Sequence, residues 1–294
     1  MTMNEPIYLL TGVTGATGGA AARELRKQGR RVRGLVHKDD ARAEALRTLG
    51  VETIVGDLLD LDSLRRAMEG VAGAYFVYPF SDSLIDAAAF TAQAAIEAGV
   101  QSLVNMSQKS ARREAKSHAA RDHWVSERVL DWSGVPSTHI RPTFFAEWLL
   151  YPLPGWQVKN GVIRFPLGRG RHAPIAAEDQ GRLIAAVLTN PVSHAGKVYP
   201  LFGPVELDHY EIAVKLSATL GRPFRYEPLS IPQFVTEMQS SGLTPRFIQH
   251  IASVAQDYQD GIFAGTNDVI ETLTGKPPLT LEEFVARNRA KFAI

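Results

Sequence analysis

Between Ile7-Tyr8-Leu9-Leu10, a short run apolar at every position, and a helical stretch from about Thr17 to Gln28 lies Thr11-Gly12-Val13-Thr14-Gly15-Ala16-Thr17-Gly18. No other segment constrains the fold as closely. Glycines at 12, 15 and 18 fit the spacing GxxGxxG, a relative of GxGxxG. The first permits a tight turn, and the others let the backbone come close to a bound group. Free N–H groups at the start of the next helix then face that group and favour an anion such as a pyrophosphate. The helix dipole contributes only about 0.3–1 kcal/mol, so the converging N–H groups do most of the holding. A glycine pattern alone is weak evidence. Set between a strand and a helix, it predicts a dinucleotide site with Gly12, Thr14, Gly15, Ala16, Thr17 and Gly18 as binding residues.

The alternation begun there continues. Strand character over Arg30–Val36, Val51–Val55, Ala74–Val77, Ser102–Met106 and Ser137–Ile140 alternates with helical patterns. Those patterns cover Ala41–Leu49, Leu61–Glu69, Leu84–Ala98 and about Ser117–Trp132, and glycines 50, 70, 99 and 134 close them. Strands alternating with helices through short connections predict an α/β fold, a doubly wound parallel sheet of the Rossmann type. Beyond Pro142 the pattern degrades. Prolines 152, 154 and 166 and glycines 155, 161, 168 and 170 mark a loop-rich stretch, with a hairpin expected near Asn160-Gly161. Helical periodicity returns over Glu178–Leu188, Tyr210–Leu220 and about Ile231–Ser240. The expected division is an NAD(P)-binding Rossmann domain over 1–145, with 173–200 returning to it. A smaller substrate-side α+β region then comprises 146–172 and 201–294.

Composition narrows the function classes. A net charge of +1 gives no electrostatic reason to expect nucleic acid or an anionic membrane as partner. The absence of cysteine removes disulfides, thiol catalysis and thiolate metal sites together, and no other spacing suggests a metal. The first residues lack the basic start and long apolar core of an export signal, and no run reaches 18 apolar residues. The expectation is a cytoplasmic protein acting on a small molecule, with homodimer formation left open.

Which dinucleotide is bound turns on the end of the second strand, where an acidic residue would hold the ribose 2′-hydroxyl of NAD. His37 and Lys38 stand there instead, 19 and 20 residues after Gly18. Two cationic or potentially cationic groups suit a 2′-phosphate, so NADP(H) is expected over NAD(H); the alternative is that both are solvated turn residues. If His37 takes that role, the preference for NADP should strengthen between pH 8 and pH 6. Asp39 is available as the N-cap of the following helix.

At this point several blocks resemble the NmrA-like family of atypical short-chain dehydrogenases. They are Thr14-Gly15-Ala16-Thr17-Gly18, Gly56-Asp57-Leu58, Ala74-Tyr75-Phe76-Val77, Asn105-Met106-Ser107, Ser133-Gly134-Val135-Pro136 and Ile140-Arg141-Pro142, in the family's order. The resemblance implies that Asp57 and Leu58 contact adenine and that Tyr78 and Pro79 line the channel to the pyrophosphate. It also implies that Met106, Ser107 and Pro142 border the cofactor, with Thr143, Phe144 and Phe145 beside the nicotinamide. For Asp57 a loop-capping role is the alternative, and for Phe144 and Phe145 simple core packing.

Most members of the wider superfamily carry Tyr-xxx-Lys on one helix. Here the lysine position falls on His123 and the tyrosine position on Ala119, so the phenolic proton donor is missing. The spacing of His123 and Glu127 puts them on one helical face and is similar to that of the family's quinone oxidoreductase branch. Ser107, at the family's Ser/Thr position, would polarise a carbonyl, and His123 would hold the nicotinamide ribose. Alternatively, His123 and Glu127 form an ordinary helix-surface pair. Arg164, Arg169, Arg171 and His172 make a basic loop that meets an acidic group, closes over the cofactor or is solvated.

Two functions compete. One is an NAD(P)H-dependent reductase of a quinone or other conjugated carbonyl, favoured by the aromatic stretch Phe144, Phe145, Trp148, Tyr151 and Trp156, in which Phe145 and Trp148 would line a substrate pocket. The other is a non-catalytic NADP(H)-sensing regulator of NmrA type acting through a protein partner, favoured by the missing tyrosine and lysine. Direct DNA binding is disfavoured, since neither a basic patch nor a helix-turn-helix pattern stands out.

Overall fold

The computed structural model describes residues 5–151, 157–159 and 161–292, so Pro152, Pro154, Gly155, Trp156 and Asn160 lie outside the described residues. The chain begins β1 (Ile7–Leu10), α1 (Ala16–Lys27), β2 (Arg31–Val36), α2 (Ala41–Thr48), β3 (Glu52–Val55), α3 (Leu61–Met68) and β4 (Val71–Phe76). It continues with α4 (Leu84–Glu97), β5 (Ser102–Met106), α5 (His118–Trp132), β6 (Ser137–Pro142), β7 (Gln157–Lys159) and β8 (Val162–Arg164). Then come α6 (Ala177–Thr189), β9 (Val198–Leu201), α7 (His209–Leu220), β10 (Arg225–Tyr226), α8 (Ile231–Gln239) and α9 (Pro245–Gln259). The last elements are α10 (Val269–Thr274), α11 (Leu281–Arg287) and α12 (Arg289–Phe292).

Seven strands form one sheet in the order β3-β2-β1-β4-β5-β6-β9, with β1 to β6 paired in parallel. This is the doubly wound Rossmann arrangement, and strand order reverses between β1 and β4. β1 is flanked on both sides, so all four of its residues are buried, which an apolar run without alternation anticipates. β4 starts three residues before the sequence pattern showed it, because Val71-Ala72-Gly73 is short-chained and follows Gly70 directly.

The chain divides into two compact units. Unit 1 comprises residues 1–108, 122–141 and 177–199; unit 2 comprises 109–121, 142–176 and 200–294. In unit 1, Leu9, Leu64, Met68, Phe76, Leu103 and Leu130 are fully buried in one core. Small residues bring α1 against α6: a Cβ on Gly181 would lie 2.5 Å from the Cβ of Ala20. In unit 2, β7 pairs antiparallel with β8 around Gly161, and β10 adds to β8 in parallel. Its core gathers Phe144, Phe165, Ile212, Leu216, Phe234, Ile251 and Phe284.

Two histidines of unit 2 are buried completely. His172 and His209 are both 0% exposed, and neither ring has a hydrogen-bond partner on either nitrogen. Their centroids lie 4.9 Å apart, within ring-contact distance of Phe144, Phe165, Tyr226 and Tyr258. His172 was expected in a basic loop; it is instead a core aromatic.

Candidate active site

The glycine turn is shaped by its own chain. Gly12 has φ +56°, and a Cβ there would sit 2.5 Å from Val77 Cγ1, so neither the backbone nor the space accepts a side chain. A Cβ on Gly18 would meet the Gly12 carbonyl oxygen at 2.5 Å. Gly15 donates its N–H to that same oxygen at 2.9 Å and stands as the N-cap of α1 without a side chain. The first-turn N–H groups of α1 have no acceptor inside the helix and are left for a ligand. Thr11 ties the turn to β4: its Oγ1 accepts from Val77 N at 2.8 Å and donates to Val77 O at 2.9 Å.

A cleft of about 360 Å³ opens beyond the carboxyl ends of β1 to β4, next to the point where strand order reverses. Thr11, Gly12 and Thr14 line it from the turn, and Leu35, Val36 and His37 from the end of β2. Gly56, Asp57, Leu58 and Leu59 follow β3, and Val77, Tyr78 and Pro79 follow β4. The predicted residues Gly12, Thr14, His37, Asp57, Leu58, Tyr78 and Pro79 thus share one cavity. Thr11, Leu35, Val36, Gly56, Leu59 and Val77 were missed, although all but Leu59 stand within two residues of a strand's carboxyl end, which is the available signal. Thr17 is turned away, its hydroxyl 2.9 Å from that of Tyr75.

Asp57 faces the cleft and also takes the local capping role given as its alternative, its Oδ1 accepting from Leu59 N at 2.9 Å. At the β2 end the acidic residues are occupied elsewhere. Asp40, not Asp39, caps α2 by accepting from Arg42 N, and it also pairs with the Arg42 guanidinium. Asp39 pairs with Arg47 at 2.8 Å. His37 and Lys38 are exposed and carry none of these pairs.

Ser107 and His123 also belong to unit 1. Ser107 is 3% exposed, its N–H donates to Ile140 O at 2.8 Å, and its buried Oγ has no partner. The Nδ1 of His123 is likewise buried without a partner. Burial pulls this imidazole down to about 4, against weaker upward pulls from Glu127 and Asp122, so it is neutral at physiological pH. The expected His123–Glu127 pair is corrected: Glu127 is 0% exposed and forms a two-pronged ion pair with Arg141 of β6, one contact at 2.8 Å. A fully buried carboxylate needs a fixed cation, which a neutral imidazole does not supply. Nearby, the Asn105 amide and Asp131 bracket the His139 ring at 3.0 Å each, joining β5, β6 and α5.

Met106 is buried at the end of β5 in unit 1, and the remaining predicted residues lie in unit 2. The Thr143 hydroxyl donates to Ala173 O at 2.8 Å, and Phe144 is a core ring 5.8 Å from that of Trp148. Phe145 and Trp148 are half-buried. The basic loop is neutralised inside its own unit: Arg164 pairs with Glu237, Arg169 with Asp208, and Arg171 with Glu206 and Glu211. Among the described residues, no group of three or more potential metal ligands occurs, and no helix is long and apolar enough to cross a membrane.

Comparison with known proteins supplies an independent line. The profile described as the NmrA-like family matches residues 5–285. An NAD(P)H azoreductase of Xenophilus azovorans is 30% identical over 286 residues, covering 97% of this chain and 99% of its own. The crystal structure of an NADPH-dependent quinone oxidoreductase from Escherichia coli with NADPH superposes with a TM-score of 0.83 at 25% identity, covering 95% of this chain and 99% of the other. A negative transcriptional regulator in complex with NADP superposes at 0.80 over 96% and 94%, but at 17% identity it shares the fold alone.

Proposed function

Starting from a chain that belongs to the NmrA-like family and is an NAD(P)H-dependent oxidoreductase of that type, we propose that it reduces a quinone or another conjugated carbonyl and prefers NADPH to NADH. The observation that carries the reading is the cleft itself: bare glycine backbone at one end and His37 at the other, with the neighbouring acids engaged by arginines. These residues fit a dinucleotide. The turn from Gly12 to Gly18 and the first N–H groups of α1 hold the pyrophosphate, Asp57 and Leu58 border the adenine, and His37 with Lys38 receives the 2′-phosphate. Bound nicotinamide supplies hydride.

The chain's own part is to hold and polarise. Ser107 Oγ, kept without a partner, donates to a carbonyl oxygen of the acceptor. His123, neutral in the working range, offers a hydrogen bond to the nicotinamide ribose and is no proton donor as an imidazolium. With Ala119 where a tyrosine would stand, protonation of the product falls to solvent, which an already electrophilic quinone tolerates. The same missing tyrosine supports the second reading, an NADP(H)-sensing regulator without turnover. The test follows NADPH oxidation against a panel of quinones and enones, with Ser107→Ala and His123→Ala beside the parent. Turnover that falls in both variants upholds the reductase. Saturable NADPH binding with no turnover on any acceptor moves the assignment to the sensor.

A further inference from the structure

We propose that Tyr75 is a positioning residue for the cofactor, its hydroxyl holding the start of α1, and with it the glycine turn, in the shape that receives the pyrophosphate. The inference rests on reading that turn as the cofactor cradle. Tyr75 lies within β4 and is 0% exposed. Phenylalanine would fill such a site equally well, so the hydroxyl calls for a reason. A buried phenol must find a partner, and the one it has is Thr17 Oγ1 at 2.9 Å. Thr17 is the second residue of α1, inside the turn whose N–H groups point outward for an anion.

The opposite end of the turn is fixed to the same short stretch of β4. Thr11 donates its N–H to the Tyr75 carbonyl at 3.0 Å, and its hydroxyl is locked on Val77. Two anchors two residues apart on one strand therefore clamp both ends of the segment. Between them, the Gly12 carbonyl accepts Gly15 N–H and lies against Gly18. Burial also pushes the Tyr75 phenol well above its ordinary range, so it stays protonated and able to donate throughout the working pH. Removing the hydroxyl keeps the ring but releases Thr17, and the first turn of α1 loses its tether to the sheet.

The test is NADPH affinity, from fluorescence titration, of Tyr75→Phe, Thr17→Val and the double variant, with Gly12→Ala as the cradle control. Tyr75→Phe should raise Kd about 5- to 10-fold, the worth of one buried hydrogen bond. The kcat at saturating NADPH and the KM for the acceptor should be unchanged. Thr17→Val should raise Kd by the same factor, and the double variant should add nothing further. A Kd for Tyr75→Phe and Thr17→Val within twofold of the parent, while Gly12→Ala abolishes binding, overturns the inference and leaves the cradle intact. A fall in kcat alongside Kd also overturns it, since that is general loosening. If Gly12→Ala binds NADPH as the parent does, the cradle reading itself fails.

Discussion

Acid should weaken unit 2 through His172 and His209, and the size of the effect follows from their burial. Both rings sit among aromatic side chains with no hydrogen-bond partner on any nitrogen. Burial pulls His209 down to about 3, against a weak upward pull from Asp208. His172 also lies well below its ordinary range, first through burial and then through its neighbours His209 and Arg171. Because the folded values lie below the unfolded one, the unfolded chain takes up protons first as pH falls. The stability is therefore complete above about 6.5 and declines as pH drops toward the folded values. At pH 5 an unfolded imidazole gains about 2 kcal/mol from protonation while a folded one this depressed gains almost nothing, so the pair costs about 4 kcal/mol relative to pH 7.5. That is a large share of a typical domain stability of about 5–15 kcal/mol.

Urea unfolding at pH 7.5 and pH 5, read by hydrogen exchange in α7, reports unit 2 by itself. His209→Leu, close in volume and unable to titrate, should reduce the pH-dependent loss by about 2 kcal/mol. Comparing parent with variant cancels the carboxylates that also titrate in acid. A parent whose α7 protection changes by less than about 1 kcal/mol between the two pH values refutes the reasoning. So does a variant with the parent's pH dependence.

Other outcomes follow from single contacts. Replacing His37 and Lys38 together by alanine should lower the ratio of NADH to NADPH dissociation constants about tenfold, as loss of charge-assisted phosphate contacts implies; an unchanged ratio removes both from the 2′-phosphate. Arg141→Ala leaves the fully buried Glu127 without this counter-charge and should cost about 3 kcal/mol in denaturant unfolding. A loss under about 1 kcal/mol would show the pair to be as weak as an exposed one.

The parts of the fold that were legible are those where the chain must bury a regular pattern. β1 needs apolar residues on both faces, and β5 coincides with Ser102–Met106. β9 was not recognised as a strand, because the edge strand of a sheet buries little: Val198 is 40% exposed, and Pro200 interrupts the pattern. α9 was also missed. It begins at Pro245 and mixes Arg246, Gln249 and His250 with its buried Ile248 and Ile251. In the candidate site, glycine spacing placed the tight turn because steric exclusion is local. The role of Glu127 was not legible, since its partner Arg141 lies on a different element and only the folded sheet brings them together. Asp39 and Asp40 are adjacent, and which of them caps α2 depends on one backbone dihedral that composition does not encode.

The double tether of the glycine turn bears on how quickly the protein can exchange spent for fresh dinucleotide. A loop that must fold around its guest loses conformational freedom at each encounter, and association slows accordingly. Here Thr11 and Thr17 are engaged by Val77 and Tyr75 within the chain itself, so that loss is incurred once, when the sheet forms. On the proposed reading of the turn as the pyrophosphate cradle, each arriving dinucleotide would meet a finished receptacle, and release of the old one would set the pace of exchange.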